Sequence, residues 1–336
     1  MHVTVLHGDL SLPDSGKIDR RFTREDREAV ERMTTALRSL SDLTVEVLER
    51  HEMLLPRLQA DPPSFVVNFC DTGYRNEPRH ELHVPAALEM TDVPYSGSGP
   101  TCLGLCYDKS AVRAIAQAHG VPVPAEHFIE AGTDPLSLPD RYPALVKPCT
   151  GDGSVGITAD SVVHDADEAR GYVERLRVEL PGRDILVQEY LQGPEYTIGL
   201  VGNPGQTLEV LPPLAVDYSG LDPDLPKILA FESKAVADSA FWSQIQYREA
   251  DLDASTRDTL VGHARTLFRR LGCRDYARVD YRCDAEGRPY LLEVNPNPAW
   301  CWDGKMNLMA GFAGHDYSDF LRMIVEAARR RITAPA

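Results

Sequence analysis

Long apolar runs are missing from this chain of 336 residues. The longest cover a few residues, against the roughly 20 a membrane-spanning helix needs, so a helical membrane protein is not expected. The start, "MHVTVLHGDL", lacks a basic stretch followed by an apolar one. No secretory leader is therefore expected, and the expected location is the cytoplasm. Positive charge is scarce as well: 35 Lys and Arg stand against 51 Asp and Glu, a formal net charge of −16. A nucleic-acid binder usually shows a basic stripe. Here the cations are scattered, apart from "RRFTREDR" and a late "RRR", which read as solvated helix faces. Neither nucleic acid nor membrane is an expected partner. Cysteine occurs seven times, at 70, 102, 106, 149, 273, 283 and 301, without a CxxC pair. Cys102 and Cys106 have no companion at zinc-site spacing, so free buried thiols in a reducing compartment are expected. Repeats and low-complexity segments are absent.

Strand-like and helix-like segments alternate from the start, which favours an α/β protein with a parallel first sheet. "HVTVLHG", "LTVEVLE" and "SFVVNFC" read as strands. A helix follows Thr23, which with Asp26 resembles a capping box. Asp108 is a second expected N-cap, and Ser255 with Asp258 a further capping box. "ALVKP" and "ILVQEYL" are strands, and a helix around 318–330 buries Phe320, Leu321, Ile324, Val325 and Ala328. The length suits two or three domains. The expected units are 1–100, 101–190 and 191–336, with a long loop over 212–234.

The segment "YARVDYRCDAEGRPYLLEVNPNP", residues 276–298, reads as a hairpin with an unusual polar content. Side chains alternate along a strand, so Arg278 shares a face with Asp280, and Glu293 with Asn295. A two-residue turn at Glu286-Gly287 sets Asp280 opposite Glu293 and Arg278 opposite Asn295. Val279, Tyr281, Leu292 and Val294 then take the other face. Opposed like charges destabilise a sheet. A hard cation between them removes the conflict, and two carboxylates plus an amide oxygen suit Mg²⁺, or Mn²⁺, better than zinc. Such a cation commonly completes its shell with phosphate oxygens and water. "ALVKPCTGDGSVGI" is the candidate phosphate loop: Lys147 ends a strand, and Gly151, Gly153 and Gly156 let backbone N–H groups approach an anion.

Several segments in one order resemble the ATP-grasp enzymes, specifically the D-alanine–D-alanine ligases. They are "PYSGSGPTCLGLCYDKSAVRAIAQAHGVPVP", "LVKPCTGDGSVG", "VQEYLQGPEYTIGLV", "ARVDY" and "YLLEVNPNP", spanning roughly 94–298. The resemblance implies a three-domain ATP-grasp architecture with ATP between the central and C-terminal domains. By position it implies Lys109 and Lys147 as nucleotide-phosphate lysines, with Gly153 and Ser154 in the phosphate loop. Gln188, Tyr190 and Leu191 fall on the adenine strip, Glu195 on the ribose acceptor and Lys234 on the lid lysine. Asp280, Glu293 and Asn295 fall on the metal ligands, and Arg278 beside the transferring phosphate. The implied chemistry joins a carboxylate to an amine through an acyl phosphate, and a homodimer is expected by family.

The substrate segments depart from the family. Its "SAEREVS"-like run is replaced by "HGDLSLPDSGKIDRRF", its "HGxxGEDG" region by "NFCDTGYRNEPRH", and its "NxxPGMT" by "NPNPAWCWDGK". D-alanine is therefore in doubt at both sites, and other amino acids or amino-acid-like metabolites are expected. Trp300, Trp302, Asp303, Lys305, His80 and His83 are the candidate substrate contacts. An authentic D-alanine–D-alanine ligase with a divergent pocket and a non-catalytic ATP-binding regulator are the alternatives.

Overall fold

A computed structural model describes residues 1–14, 16–134, 136–236 and 238–334. Three sheets follow one another along the chain. The first joins β1 (His2–His7), β2 (Thr44–Leu48) and β3 (Val66–Phe69) in parallel, in the order β2-β1-β3. Parallel sheets need cover on both faces, and the alternation of β1 supplies it. Val3 and Val5 pack with Met33 and Leu37 of the helix Arg24–Ser39, whereas Leu6 packs with Leu54, Leu58, Val84 and Leu88. The first helix starts with the expected capping box between Thr23 and Asp26.

The second sheet contains β4 (Glu126–Ile129), β5 (Ala144–Pro148), β6 (Val162–Val163) and β7 (Ile185–Glu189), antiparallel in the order β4-β7-β5-β6. Ala144, Val146, Ile185 and Val187 face the helix Ala166–Glu179 through Ala169, Val173 and Leu176. The alternate residues Lys147 and Gln188 lie on the other side.

The third sheet contains β8 (Glu195–Gly202), β9 (Leu208–Val210), β10 (Leu214–Asp217), β11 (Gln246–Glu249), β12 (Tyr276–Cys283) and β13 (Pro289–Asn295), ordered β11-β10-β8-β12-β13 with β9 also on β8. One face buries Ile198, Leu200, Val279, Tyr281, Leu291 and Val294. The helices Pro100–Cys106 and Lys109–Ala118 cover that face through Cys102, Val112 and Ala116, beside Leu260 and Phe268 of the helix Ala254–Arg270. The expected division at residue 101 therefore cuts differently from the packing. These two helices join the third sheet because their apolar faces meet its apolar face.

Two further expectations are corrected. The last long helix before the hairpin is capped by Asp253, whose carboxylate accepts from the Thr256 amide, and not by Ser255. The segment 212–234 is not one loop: β10 lies inside it, Leu221, Ile228 and Ala230 are buried, and a short helix covers Glu232–Ala235.

The first unit is fastened to the third sheet by a buried carboxylate. Asp275, fully buried before β12, accepts from the Gly97 amide at 2.8 Å, from Asn203 at 2.9 Å and from Arg331 at 2.8 and 2.9 Å. Arg331 also donates to the Tyr95 carbonyl. Removing one partner of a buried pair leaves an uncompensated charge. Arg331→Ala is accordingly expected to lower unfolding stability by about 3 kcal/mol, read from a urea midpoint. An unchanged midpoint would mean that Asp275 is satisfied without the guanidinium.

Candidate functional site

The site begins with the register of β12 and β13. Arg278 pairs with Asn295, Val279 with Val294 and Asp280 with Glu293, as the alternation requires. The turn differs from the two-residue form. The Asp284 amide bonds the Arg288 carbonyl, closing a longer loop, and the register shifts between Asp280 and Tyr281. A β-bulge adds one residue to one strand, and this one restores the parity that the odd-length turn would break. Its cost falls on the apolar face, where Leu291 and not Leu292 packs with Tyr281.

The polar face is cross-linked. Arg278 Nε and Nη2 each lie 3.0 Å from Asp280 Oδ2, and Nη2 is 3.9 Å from Glu293 Oε1. Asn295 Nδ2 donates to Asp280 Oδ2 at 3.1 Å and to Glu293 Oε1 at 3.3 Å. From β8, the fully buried Thr197 hydroxyl donates to Asp280 Oδ1 at 2.7 Å. Lys305 stands 3.8 Å from the same oxygen. Burial pushes the Asp280 carboxyl up, but Arg278, Lys305 and Thr197 outweigh it and hold the group well below the usual carboxylate range. Burial and Asp280 also raise Glu293; Lys109, Lys234 and Arg278 bring it below its ordinary value.

The donor set fits a hard divalent cation. Rotating the Asn295 amide by half a turn exchanges Nδ2 for Oδ1, a choice set by the hydrogen-bond partners. Oxygens of Asp280, Glu293 and Asn295 then meet at one place. Among the described residues no group of three or more His, Cys, Asp or Glu is arranged to hold a metal ion. Two carboxylates and an amide thus form an incomplete shell, of the kind Mg²⁺ fills with phosphate oxygens and water.

Across the cleft, Lys147 is buried on β5 and donates to Gln188 Oε1 at 3.0 Å. Burial, with Lys109 nearby, lowers its ammonium to about 8. Lys109 donates to the Gly151 carbonyl, which ties it to the glycine-rich loop. In that loop Ser154 has a left-handed backbone (φ 62°), and its hydroxyl donates to the Leu229 carbonyl at 2.8 Å. Gly156 also has positive φ, and a Cβ there would meet Pro148 at 2.9 Å. Lys234 is partly exposed at the cleft edge, with its ammonium turned toward Glu293, Arg278 and Lys305. Loss of surrounding water lowers its ammonium; Glu293 opposes the shift, and Arg278 and Lys305 reinforce it.

Glu195 is buried, and its Oε2 accepts from Tyr218 at 2.7 Å and pairs with Arg282 at 3.3 Å. The Arg282 guanidinium stacks over Tyr190 and Tyr218. Tyr190 and Leu191 border an open cavity of about 810 Å³. A second cavity, of about 40 Å³, is walled by Lys109, Gly151, Asp152, Glu293, Asn295, Asn297, Cys106 and Glu81.

The substrate candidates separate. Lys305 reaches the carboxylate network. Trp300 does not wall a pocket: it is 5% exposed, stacks on Phe69 and donates Nε1 to the Phe69 carbonyl at 2.7 Å. Trp302 is exposed beneath the Arg32 guanidinium, and Asp303 is exposed. His80 and His83 stack on each other at 4.5 Å, with His83 facing solvent. Neither histidine lines the small cavity; Glu81, between them, does. Its Oε1 accepts from Asn297 Nδ2 at 2.8 Å, and Asn297 Oδ1 accepts from the Tyr276 hydroxyl at 2.5 Å. Burial and Asp152 push the Glu81 carboxyl well up, against the Asn297 bond. "RHELH" offered four titratable side chains in five residues and no periodic signal to choose among them.

Comparison with known proteins matches residues 132–326 to the family model "D-ala D-ala ligase C-terminus". An uncharacterized protein y4sG of Sinorhizobium fredii is 37% identical over 251 residues, 74% of this chain and 70% of that protein. A D-alanine–D-alanine ligase of Bordetella pertussis is 29% identical over 252 residues, 74% of this chain and 75% of the relative. The crystal structure of a Bacillus anthracis D-alanine–D-alanine ligase complexed with ATP superposes with a TM-score of 0.73 at 22% identity, covering 98% of both chains. The fold is shared with that structure.

Thr197→Val tests the carboxylate network. A hydrogen bond to a charged, buried group contributes about 1.5–3 kcal/mol, and the substitution is expected to remove that amount at neutral pH. Asp280 titrates below its unfolded value, so its bonds stabilise above the unfolded pKa of about 4 and fade as pH falls below it. Urea midpoints should differ most at pH 7 and converge toward acid. A pH-independent gap would assign the loss to packing.

Proposed function

The chain belongs to the D-alanine–D-alanine ligase family of ATP-dependent, C–N bond-forming ligases, and from that premise we propose that it joins two amino acids or amino-acid-like metabolites other than D-alanine with D-alanine. The observation that carries this reading is one face of β12 and β13. Asp280, Glu293, Asn295 and Arg278 converge there opposite Lys147 and Lys109, while the substrate segments of the family are replaced. In the proposed reaction a substrate carboxylate takes the γ-phosphoryl group of ATP. The amine of the second substrate then attacks the acyl phosphate and releases phosphate.

Each residue has a stated part in this reading. Lys109 and Lys147 neutralise the phosphates, with Gly153 and Ser154 in the loop between. Gln188, Tyr190 and Leu191 hold the adenine, and Glu195 the ribose. Asp280, Glu293 and Asn295 hold Mg²⁺, which when bound offsets phosphate charge. Arg278 and Lys234 face the charge that develops on the transferred group. The segment 218–231 excludes water from the acyl phosphate; its Leu229 carbonyl rests on Ser154, and the Phe231 amide bonds the Ile157 carbonyl. Glu81 receives a substrate ammonium, since it lines the cavity shared with Glu293 and has no lysine or arginine partner among the described residues.

Incubation with ATP, Mg²⁺ and an amino-acid library, read by mass spectrometry for amide and by ADP release, is expected to yield an amide from a pair other than two D-alanines. Formation of D-alanyl-D-alanine alone would replace this reading with the authentic ligase. ATP binding with neither ADP release nor amide would support the non-catalytic regulator. Asp280→Asn and Glu293→Gln are each expected to reduce ADP release at least ~100-fold while still unfolding in one cooperative transition.

ATP affinity should also depend on Lys147. Its folded pKa is lowered to about 8, so the free protein loses that charge above pH 8. Affinity is expected to fall by up to about tenfold per pH unit there. Lys147→Met should bind weakly and lack the break. The same lowered pKa makes the native state gain stability as pH rises from about 8 toward 10, because the unfolded lysine keeps its proton longer.

A further inference from the structure

Cys102 and Cys106 stand one turn apart on the helix Pro100–Cys106, and Cys273 follows the end of the helix Ala254–Arg270. A spacing of four residues puts the first two on one helix face. Cys102 Sγ lies 3.7 Å from Cys273 Sγ, although 171 residues separate them, and Cys106 stands one helical turn from Cys102. The cluster sits at the rim of the apolar core behind β12 and β13, where Cys102 and Cys273 are 3% and 4% exposed.

One member opens toward the cleft. Cys106 is half-buried and forms part of the wall of the 40 Å³ cavity, beside Lys109 and Glu293. A cavity needs only about 10–15 Å³ to admit a water-sized molecule, so a small hydroperoxide has a route to the Cys106 sulfur, one helical turn from Cys102. The thiolate is the reactive form of cysteine. Hydrogen bonds from Cys106 and Cys273 pull the Cys102 thiol down to about 4 against burial, and Ser98 and Arg274 add to the effect. The same bonds push Cys106 and Cys273 up.

We propose that this three-thiol cluster is an oxidation site, at which hydrogen peroxide links Cys102 to Cys273 and slows the ligase. The Cys102 sulfur attacks one peroxide oxygen and the O–O bond breaks. The product is Cys102 sulfenic acid, and the departing hydroxide takes a proton to leave as water. Cys273 then gives up its thiol proton and attacks the Cys102 sulfur, and the S–O bond breaks with release of a second water. Two thiols and one peroxide thus become one disulfide and two waters.

Closing 3.7 Å to the roughly 2.05 Å of a disulfide brings the two sulfurs together by more than 1 Å and pulls on the segments that carry them. Lys109 follows Cys106 by three residues, and β12, with Arg278 and Asp280, begins three residues after Cys273. Misplacing reacting groups by about 1 Å can cost ~100-fold in rate. The loss of rate rests on the ligase reading above; the bond itself does not.

The full-length protein is treated with hydrogen peroxide, alkylated, digested and mapped by mass spectrometry. The expected product is a Cys102–Cys273 cross-link that dithiothreitol removes. ADP release and ATP affinity should each fall at least tenfold on oxidation and recover on reduction. Cys273→Ser and Cys273→Ala should form no such link and keep their ATP affinity through the treatment. Peroxide that modifies other cysteines without producing this link would overturn the proposal. A link that leaves ATP affinity and turnover unchanged would overturn the regulatory part. A link in a protein that releases no ADP even when reduced would sink the ligase reading and leave the oxidation site standing.

Discussion

Compensation of two opposed carboxylates organises this cleft. Asp280 and Glu293 face each other across β12 and β13, where like charges disfavour pairing. Arg278 lies against both, Asn295 bridges them, and Thr197 and Lys305 bind Asp280 from neighbouring elements. Each contact requires β8, β12 and β13 in one register, because a slip of one residue turns every side chain to the opposite face. The bulge after Asp280 is informative for that reason. The turn alone would set the wrong parity, and the backbone accepts an irregularity to keep the four polar groups together. Lys109, Lys147, Lys234, Arg278 and Lys305 surround the pair in a chain of net charge −16. The local field therefore opposes the global one, as a polyphosphate site demands.

The pairing of the four polar residues was legible in the sequence because side chains alternate strictly along a strand, whereas the longer turn and the bulge that offsets it were not; the order of motifs across 94–298 made the family legible too. Element ends were legible where one side chain had no rival. Thr23 and Asp108 cap as expected, whereas "DLDAST" offers several capping side chains and Asp253 wins by position. Packing between distant segments was not legible. The helices at 100–118 follow the first unit in the chain, yet their apolar faces match the third sheet. Trp300 shows the same limit: an indole suits a pocket wall or a core equally well. Only the Phe69 ring and carbonyl, 231 residues away in sequence, decide for the core.

The two halves of the cleft are built from different material. The half proposed for the nucleotide takes Lys147 and Gln188 from the second sheet and Glu195, Arg278, Asp280 and Glu293 from the third, with Lys109, Ser154 and Lys234 added from helices and a loop. The other half takes Glu81, Asp152 and Asn297 from connections that follow strands. Loops tolerate replacement where strand interiors do not. A shared phosphate chemistry with rewritten substrate segments is what this division permits.

The two halves nevertheless share a ruler. The Tyr276 hydroxyl donates to Asn297 Oδ1, so the amide nitrogen must turn to Glu81. Tyr276 is two residues before Arg278 on β12, and Asn297 two residues after Asn295 beyond β13. The place proposed for the ammonium is thereby registered to the same strand pair that registers the phosphate end. An α-amino acid holds its amine and carboxylate at a fixed covalent separation. One rigid hairpin can therefore gauge that separation whatever side chain the surrounding loops admit, which makes backbone chemistry the constant and the side chain the variable of recognition.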